Sequence, residues 1–241
     1  MTEQRPLTRT SRVPCAVAVL SAMVGLGLAS GCPYQPTAGQ PCPYSGSNCF
    51  DEDRSFNFDD ARVDAMDLAA LPAAPVQCRD PVRGRVIRVV DGDTFDVLVD
   101  GVEGDRDCGQ ERMCERIRLI GVDTPETFRS EEDLPHCGGD EAKTFTQTTL
   151  GHRVALTFDQ DCEDDPPPRD PPIPPRELAY AWFGPSRPDM WQTQLGRRGF
   201  SSQLTVRPND TFEGQFAEDE LAAQSVPRGI WTECREVPTN P

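Results

Sequence analysis

Two short stretches and one distant arginine carry the residues best suited to chemistry. Ile117-Arg118-Leu119-Ile120-Gly121-Val122-Asp123-Thr124-Pro125-Glu126 reads as a buried strand that stops in a turn. Ile117, Leu119 and Val122 are strand formers, while Pro125 lacks a ladder amide and pushes Thr124 toward extended backbone. Such a strand end gathers Arg118, Asp123 and Glu126 in a small volume. Val89-Val90-Asp91-Gly92-Asp93-Thr94-Phe95 reads as a strand, an Asp-Gly turn or bulge, and a second strand with alternating Phe95, Val97 and Val99. It adds Asp93. Arg176 opens a third apolar run through Leu178, Tyr180 and Trp182. Two acids suit a hard divalent cation, and a third can act as base or orient a water. Two arginines can hold a phosphate through paired N–H donors. The plainer alternatives are that the acids shape turns and that Arg176 neutralises the acids preceding it.

The elements that must position these groups follow from pattern. Residues 82–91 and 93–100 read as antiparallel strands, 101–115 as an inserted charged hairpin loop, and 115–121 as a third strand. Asp140 is a plausible N-cap for a helix over 140–150 with Ala142, Phe145 and Thr149 on one face. A fourth strand spans 153–158. Residues 159–175 are acidic and proline-rich, which predicts an extended loop at the rim of the site. A fifth strand covers 178–183. Helices are expected over 190–199, with Met190, Trp191 and Leu195 inward and Gly199 as its stop, and over 213–225, with Phe216, Leu221 and Ala222 apolar.

These motifs resemble the thermonuclease, or staphylococcal-nuclease-like, family. The D-G-D-T run at Asp91, the R-L-x-x-V-D-T-P-E run at Arg118 and the R-x-L-A-Y run at Arg176 stand in the family's order. Gly139-Asp140-Glu141-Ala142 with Phe145, Arg207-Pro208-Asn209-Asp210-Thr211 with Glu213, and Gly229-Ile230-Trp231 match its structural positions. The resemblance covers residues 82–231. It implies a mainly β fold with α, a five-stranded OB-type β-barrel with three helices. It also implies a calcium-dependent nuclease acting on DNA, RNA or both, as a monomer. By resemblance Asp93, Asp123 and the Thr124 carbonyl hold Ca2+, Glu126 activates or orients the attacking water, Arg118 and Arg176 hold the phosphate, and Asp91 supports the site from behind. Two departures stand out. Ile173-Pro174-Pro175 replaces a Lys-Tyr-Gly run before the second arginine, and the base-stacking aromatic positions fall near Leu204 and Val206. Base preference therefore does not carry over.

The rest of the chain points to export. Arg5, Arg9 and Arg12 precede an apolar run over 16–28, and Ala29-Ser30-Gly31-Cys32 closes it. This resembles a bacterial lipoprotein signal with Cys32 lipidated; an ordinary secretory signal and an uncleaved anchor are the alternatives. The expected organisation is a signal peptide over 1–31, a Pro-rich acidic tether over 32–78, the nuclease-like domain over 79–235 and a tail over 236–241. Residues 60–71 can form one weak helix within a solvated spacer. Pro33 after Cys32 favours an outer-membrane location, with secretion as the alternative. Of ten cysteines, eight remain after Cys15 and Cys32, and eight admit 105 pairings. Local pairing suggests Cys42–Cys49 and Cys108–Cys114; Cys78–Cys234 would tie the domain's ends, leaving Cys137 and Cys162. The formal charge of −16, with no basic stripe, argues against non-specific duplex binding but not against a local phosphate site. A non-catalytic envelope lipoprotein using the barrel as a binding or structural module is the competing reading.

Overall fold

Strand alternation builds the barrel. In the computed structural model, Phe56 and residues 58–104, 107–108, 113–127, 136–164 and 175–234 are described, all within one unit, Phe50–Pro241. β1 (Val82–Asp91), β2 (Thr94–Val99) and β3 (Glu115–Leu119) form an antiparallel meander. β4 (Gly121–Asp123) follows β3 at once, then come β5 (Arg153–Thr157), β6 (Glu163–Asp164) and β7 (Arg176–Trp182). β5 pairs with both β1 and β7, and β7 closes the barrel by running parallel to β3. Val86, Phe95, Val97, Ile117, Leu119, Val154, Leu156, Ala179 and Ala181 point inward and are buried. Burying each larger side chain contributes about 1.5–3 kcal/mol, so this alternation is the main stabilising term.

Gly121 determines where the chain leaves the barrel. Its φ is 84°, and a Cβ there would lie 2.2 Å from the Phe216 ring. The kink splits the single expected strand into β3 and β4, and β4 pairs instead with β8 (Ser202–Leu204). The helices are α1 (Asp60–Ala65), α2 (Gly139–Thr146), α3 (Trp191–Arg198), α4 (Glu213–Ser225) and α5 (Ile230–Glu233). α2 starts from Gly138 in the left-handed region, so Asp140 lies in its first turn and is not the cap. α3 stops at Gly199 as expected. On α4 the buried face is Phe216, Asp219 and Ala223, while Leu221 is 64% exposed. Leu221 lies five residues beyond Phe216, about 140° around the helix from it at 3.6 residues per turn.

The spacer expectation needs correction. Phe56 and Phe58 pack edge-on against Phe183, and Val63, Met66 and Leu71 are buried beside Tyr180 and Trp182. The acids of residues 59–67 are not simply solvated, because barrel arginines meet this segment. Arg153 pairs with Asp64, Arg85 with Asp60, and Arg83 donates to the carbonyls of Val63 and Met66. Phe56 and residues 58–78 therefore belong with the barrel, not with the tether.

Two cysteine pairings also differ. Cys108–Cys114 forms as expected, but Cys78 joins Cys162 and Cys137 joins Cys234. The register explains the first: Val82 opposes Leu156, so the chain running back from Val82 passes beyond β5, where the Cys78 amide donates to Asp159. Cys137 precedes α2, whose Gly138 packs on Ile230 at the start of α5. The proposed pairing of Cys42 with Cys49 lies outside the described residues, as do the signal segment and Cys32.

Candidate active site

The turn between β1 and β2 brings the first acid into place. Gly92 is required there because a Cβ would lie 2.6 Å from the Thr124 hydroxyl, and Thr146 of α2 donates to the Gly92 carbonyl. Asp93 follows, 3% exposed. Its Oδ2 accepts from the Thr124 amide at 2.8 Å and the Thr124 hydroxyl at 3.0 Å, and its Oδ1 accepts from Thr94 at 3.0 Å. Arg118 sits in register with Thr94. Its neighbours Ile117 and Leu119 face the core, so by strand alternation Arg118 faces outward.

One guanidinium joins two strand ends. Arg118 Nη1 pairs with Asp93, and Nη2 donates to Asp123 Oδ1 at 2.7 Å. Asp123 is 4% exposed. The three groups carry one net negative charge in a place largely removed from water. Glu126 stands beside them, half-buried, with its carbonyl accepting from the His136 amide at 2.9 Å. Burial pushes its carboxyl up to about 7, helped by a hydrogen bond and like charge from Asp91 and by Asp123, and opposed by Arg118. Asp91 in turn accepts from the Gly92 amide at 2.9 Å and from the Thr127 amide and hydroxyl at 3.3 and 3.2 Å. A carboxyl poised near neutrality can take a proton from water and later give it up.

Comparison with known proteins places the chain among relatives. Residues 116–233 match the family described as staphylococcal nuclease homologue. A protein named thermonuclease from Staphylococcus hyicus is 31% identical over 150 residues, covering 61% of this chain and 75% of the relative. The chain belongs to the staphylococcal nuclease family. A second thermonuclease, from Staphylococcus intermedius, is 33% identical over 155 residues, covering 62% of this chain and 78% of its own. An uncharacterized endonuclease of Escherichia coli O157:H7 is 34% identical over 86 residues, 36% of this chain and 44% of that one.

The structure brings only part of the expected set of residues together. Asp93, Arg118, Asp123, Thr124, Glu126 and Asp91 are brought together. Arg176 is on the same side of the sheet as Arg118, since Arg118 is in register with Leu178 two residues further along β7. Its Nη2 is paired with Asp164 of β6. Leu204 ends β8, and Val206 is 50% exposed with no aromatic character to stack on a base.

The donor set fits a hard divalent cation. Two nearly buried carboxylates and an adjacent backbone carbonyl are oxygen ligands, and the excess negative charge of the Asp93–Arg118–Asp123 trio favours a further positive one. Asp91 and Glu126 stand nearby, but among the described residues no group of three metal-ligand atoms forms on Asp93 and Asp123, so waters or substrate oxygens must complete the shell. Sequence reasoning missed Thr127 and Thr146. Thr127 follows the Asp-Thr-Pro-Glu run and carries a faint signal; Thr146 sits on a helix with none.

Proposed function

We propose that this nuclease hydrolyses phosphodiester bonds of DNA or RNA with calcium held by Asp93, Asp123 and the Thr124 carbonyl. The observation that carries this reading is the single guanidinium shared by two nearly buried carboxylates beside a carboxyl poised near neutrality. Calcium would supply charge to neutralise phosphate oxygens and lower the cost of attack. Glu126 takes the proton of the attacking water as its oxygen bonds to phosphorus, and the P–O bond to the departing sugar oxygen breaks. The departing oxygen takes up a proton from solvent, and Glu126 returns its own proton to solvent, which restores the starting site. Arg118 moves donors from the carboxylates to the phosphate, and Arg176 supplies a second fork as negative charge builds on the equatorial oxygens.

The envelope is the location this reading favours. Cys32 as a lipid site would hold the barrel at the membrane surface, most simply at an outer membrane. The disulfides of the described residues support an oxidising compartment outside the cytoplasm.

Cleavage of labelled single-stranded DNA with calcium, compared with the same reaction in chelator, tests the catalytic reading. Fragments are expected with calcium only. Arg118→Ala and Glu126→Ala should each lower the rate by about 10²–10³-fold, the usual cost of one lost transition-state contact. Wild-type rates in either variant would sink it.

A further inference from the structure

We propose that Asp164 is a built-in competitor for the substrate phosphate at Arg176, and so sets how tightly this enzyme captures nucleic acid. The inference rests on Arg176 being a phosphate ligand. β6 opposes the start of β7 with Asp164 directly across from Arg176. Directly opposed residues on antiparallel strands project to the same face, and here their side chains form an ion pair.

The contact is held by more than its own charge. The Leu178 amide donates to the Cys162 carbonyl at 2.7 Å, and Cys162 is bonded to Cys78. Asp164 is thus delivered to Arg176 from two residues beyond a covalent anchor. The guanidinium is also incompletely used. Arg176 Nε is buried and has no hydrogen-bond partner among the described residues. Buried donors are nearly always partnered, so an orphaned one marks a place where another acceptor belongs. A phosphate can take Nε and an adjacent amino group together, the planar fork that suits guanidinium. Asp164 occupies one arm of that fork and leaves the other open.

The two arginines then differ in what frees them. The carboxylates on Arg118 are those that suit the cation, so cation binding gives them another partner. Among the described residues Asp164 has no such alternative, and the substrate itself must displace it. The pair is partly exposed, 30% for Arg176 and 26% for Asp164. Displacement is therefore a modest penalty and not a block.

Binding of a short fluorescent single-stranded DNA in chelator, where nothing is cleaved, reads this directly. Asp164→Asn should bind about two- to fivefold more tightly at low salt, the range of an exposed ion pair. One more unpaired cation facing the strand should steepen the logarithmic salt dependence by about 0.7. With calcium the gain should appear in KM. Glu163→Gln removes the same charge from the neighbouring residue, which opposes Glu177 and not Arg176, and should gain much less. In an Arg176→Ala background, Asp164→Asn should gain nothing. Equal gains from the Asp164 and Glu163 variants would overturn the inference alone and leave a diffuse effect of acidic charge. If Arg176→Ala itself binds DNA as wild type does, the phosphate role of Arg176 fails and the inference with it.

Discussion

Two buried ion clusters use the same residue types in opposite proportion. At the candidate active site one arginine, Arg118, lies between two carboxylates, Asp93 and Asp123. Between α3 and α4 one carboxylate, Asp219, lies between two arginines, Arg187 and Arg197, each at 2.7 Å. Asp96 repeats the second pattern with Arg88 and Arg116. Removing charge from water is costly, and cost falls when neighbours compensate it. The helix cluster has such a neighbour, since Glu218 also pairs with Arg187. The Asp93–Arg118–Asp123 trio instead keeps an excess acid with Asp91 and Glu126 alongside, and Glu126, pushed up chiefly by burial and then by Asp91, holds its proton to about pH 7. The difference separates clusters whose charges balance within the fold from one whose excess acid suits the cation proposed above.

Breaking the structural cluster should produce the largest effect on stability. Asp219→Ala leaves two arginines facing each other at the helix interface, and removing one member of a buried ion cluster costs about 3–5 kcal/mol. Urea unfolding should show that loss, while activity per folded molecule stays near wild type. Asp123→Ala should do the reverse: little or no loss of stability in chelator, because an excess charge is removed, but no calcium-supported cleavage. Similar destabilisation by both substitutions would erase the distinction between the clusters.

Calcium should sharpen the contrast at a somewhat smaller scale. A ligand that binds only the folded protein stabilises it by about 2.7 kcal/mol at a hundredfold excess over Kd. Thermal melts should rise with calcium in wild type and not in Asp123→Ala, with Glu218→Gln at the other cluster behaving as wild type. An undiminished shift in Asp123→Ala would place the ion elsewhere.

The smallest expected effect is a pH dependence. Glu126 has its folded-state carboxyl raised from 4.5 to about 7. The folded protein therefore binds this proton more tightly than the unfolded chain, and the resulting stability is full below about pH 4.5 and lost as pH rises through about 7. Glu126→Gln should match wild type at pH 4 in chelator and exceed it at pH 8. The gain should be on the order of 1 kcal/mol once solvent screening of a half-exposed group is allowed for. A variant less stable than wild type at pH 8 would mean that the charged form is favoured in the fold.

How much was legible in advance depended on distance along the chain. The barrel strands were readable because alternation at Phe95, Val97 and Val99 and at Ile117 and Leu119 is a local property of the backbone. The acids and Arg118 were readable because two turns, each marked by Gly92 or Pro125, present them. The buried face of α4 was misread, since an acid at position 219 looks solvent-facing until Arg187 and Arg197 come to meet it.

The amino-acid order by itself determined the strand ends that carry Asp93, Asp123 and Glu126 and the stop of α3 at Gly199. These follow from torsions, side-chain period and short-range sterics, which act within a few residues. Only the tertiary structure decided that Cys78 meets Cys162, that Phe56 and residues 58–78 pack on the barrel, that Glu126 is pushed up to about 7 and that Arg176 is held by Asp164. Each depends on register between segments far apart in sequence. Register is settled by the summed burial and ion pairing of whole strands, a balance that no single stretch of residues contains.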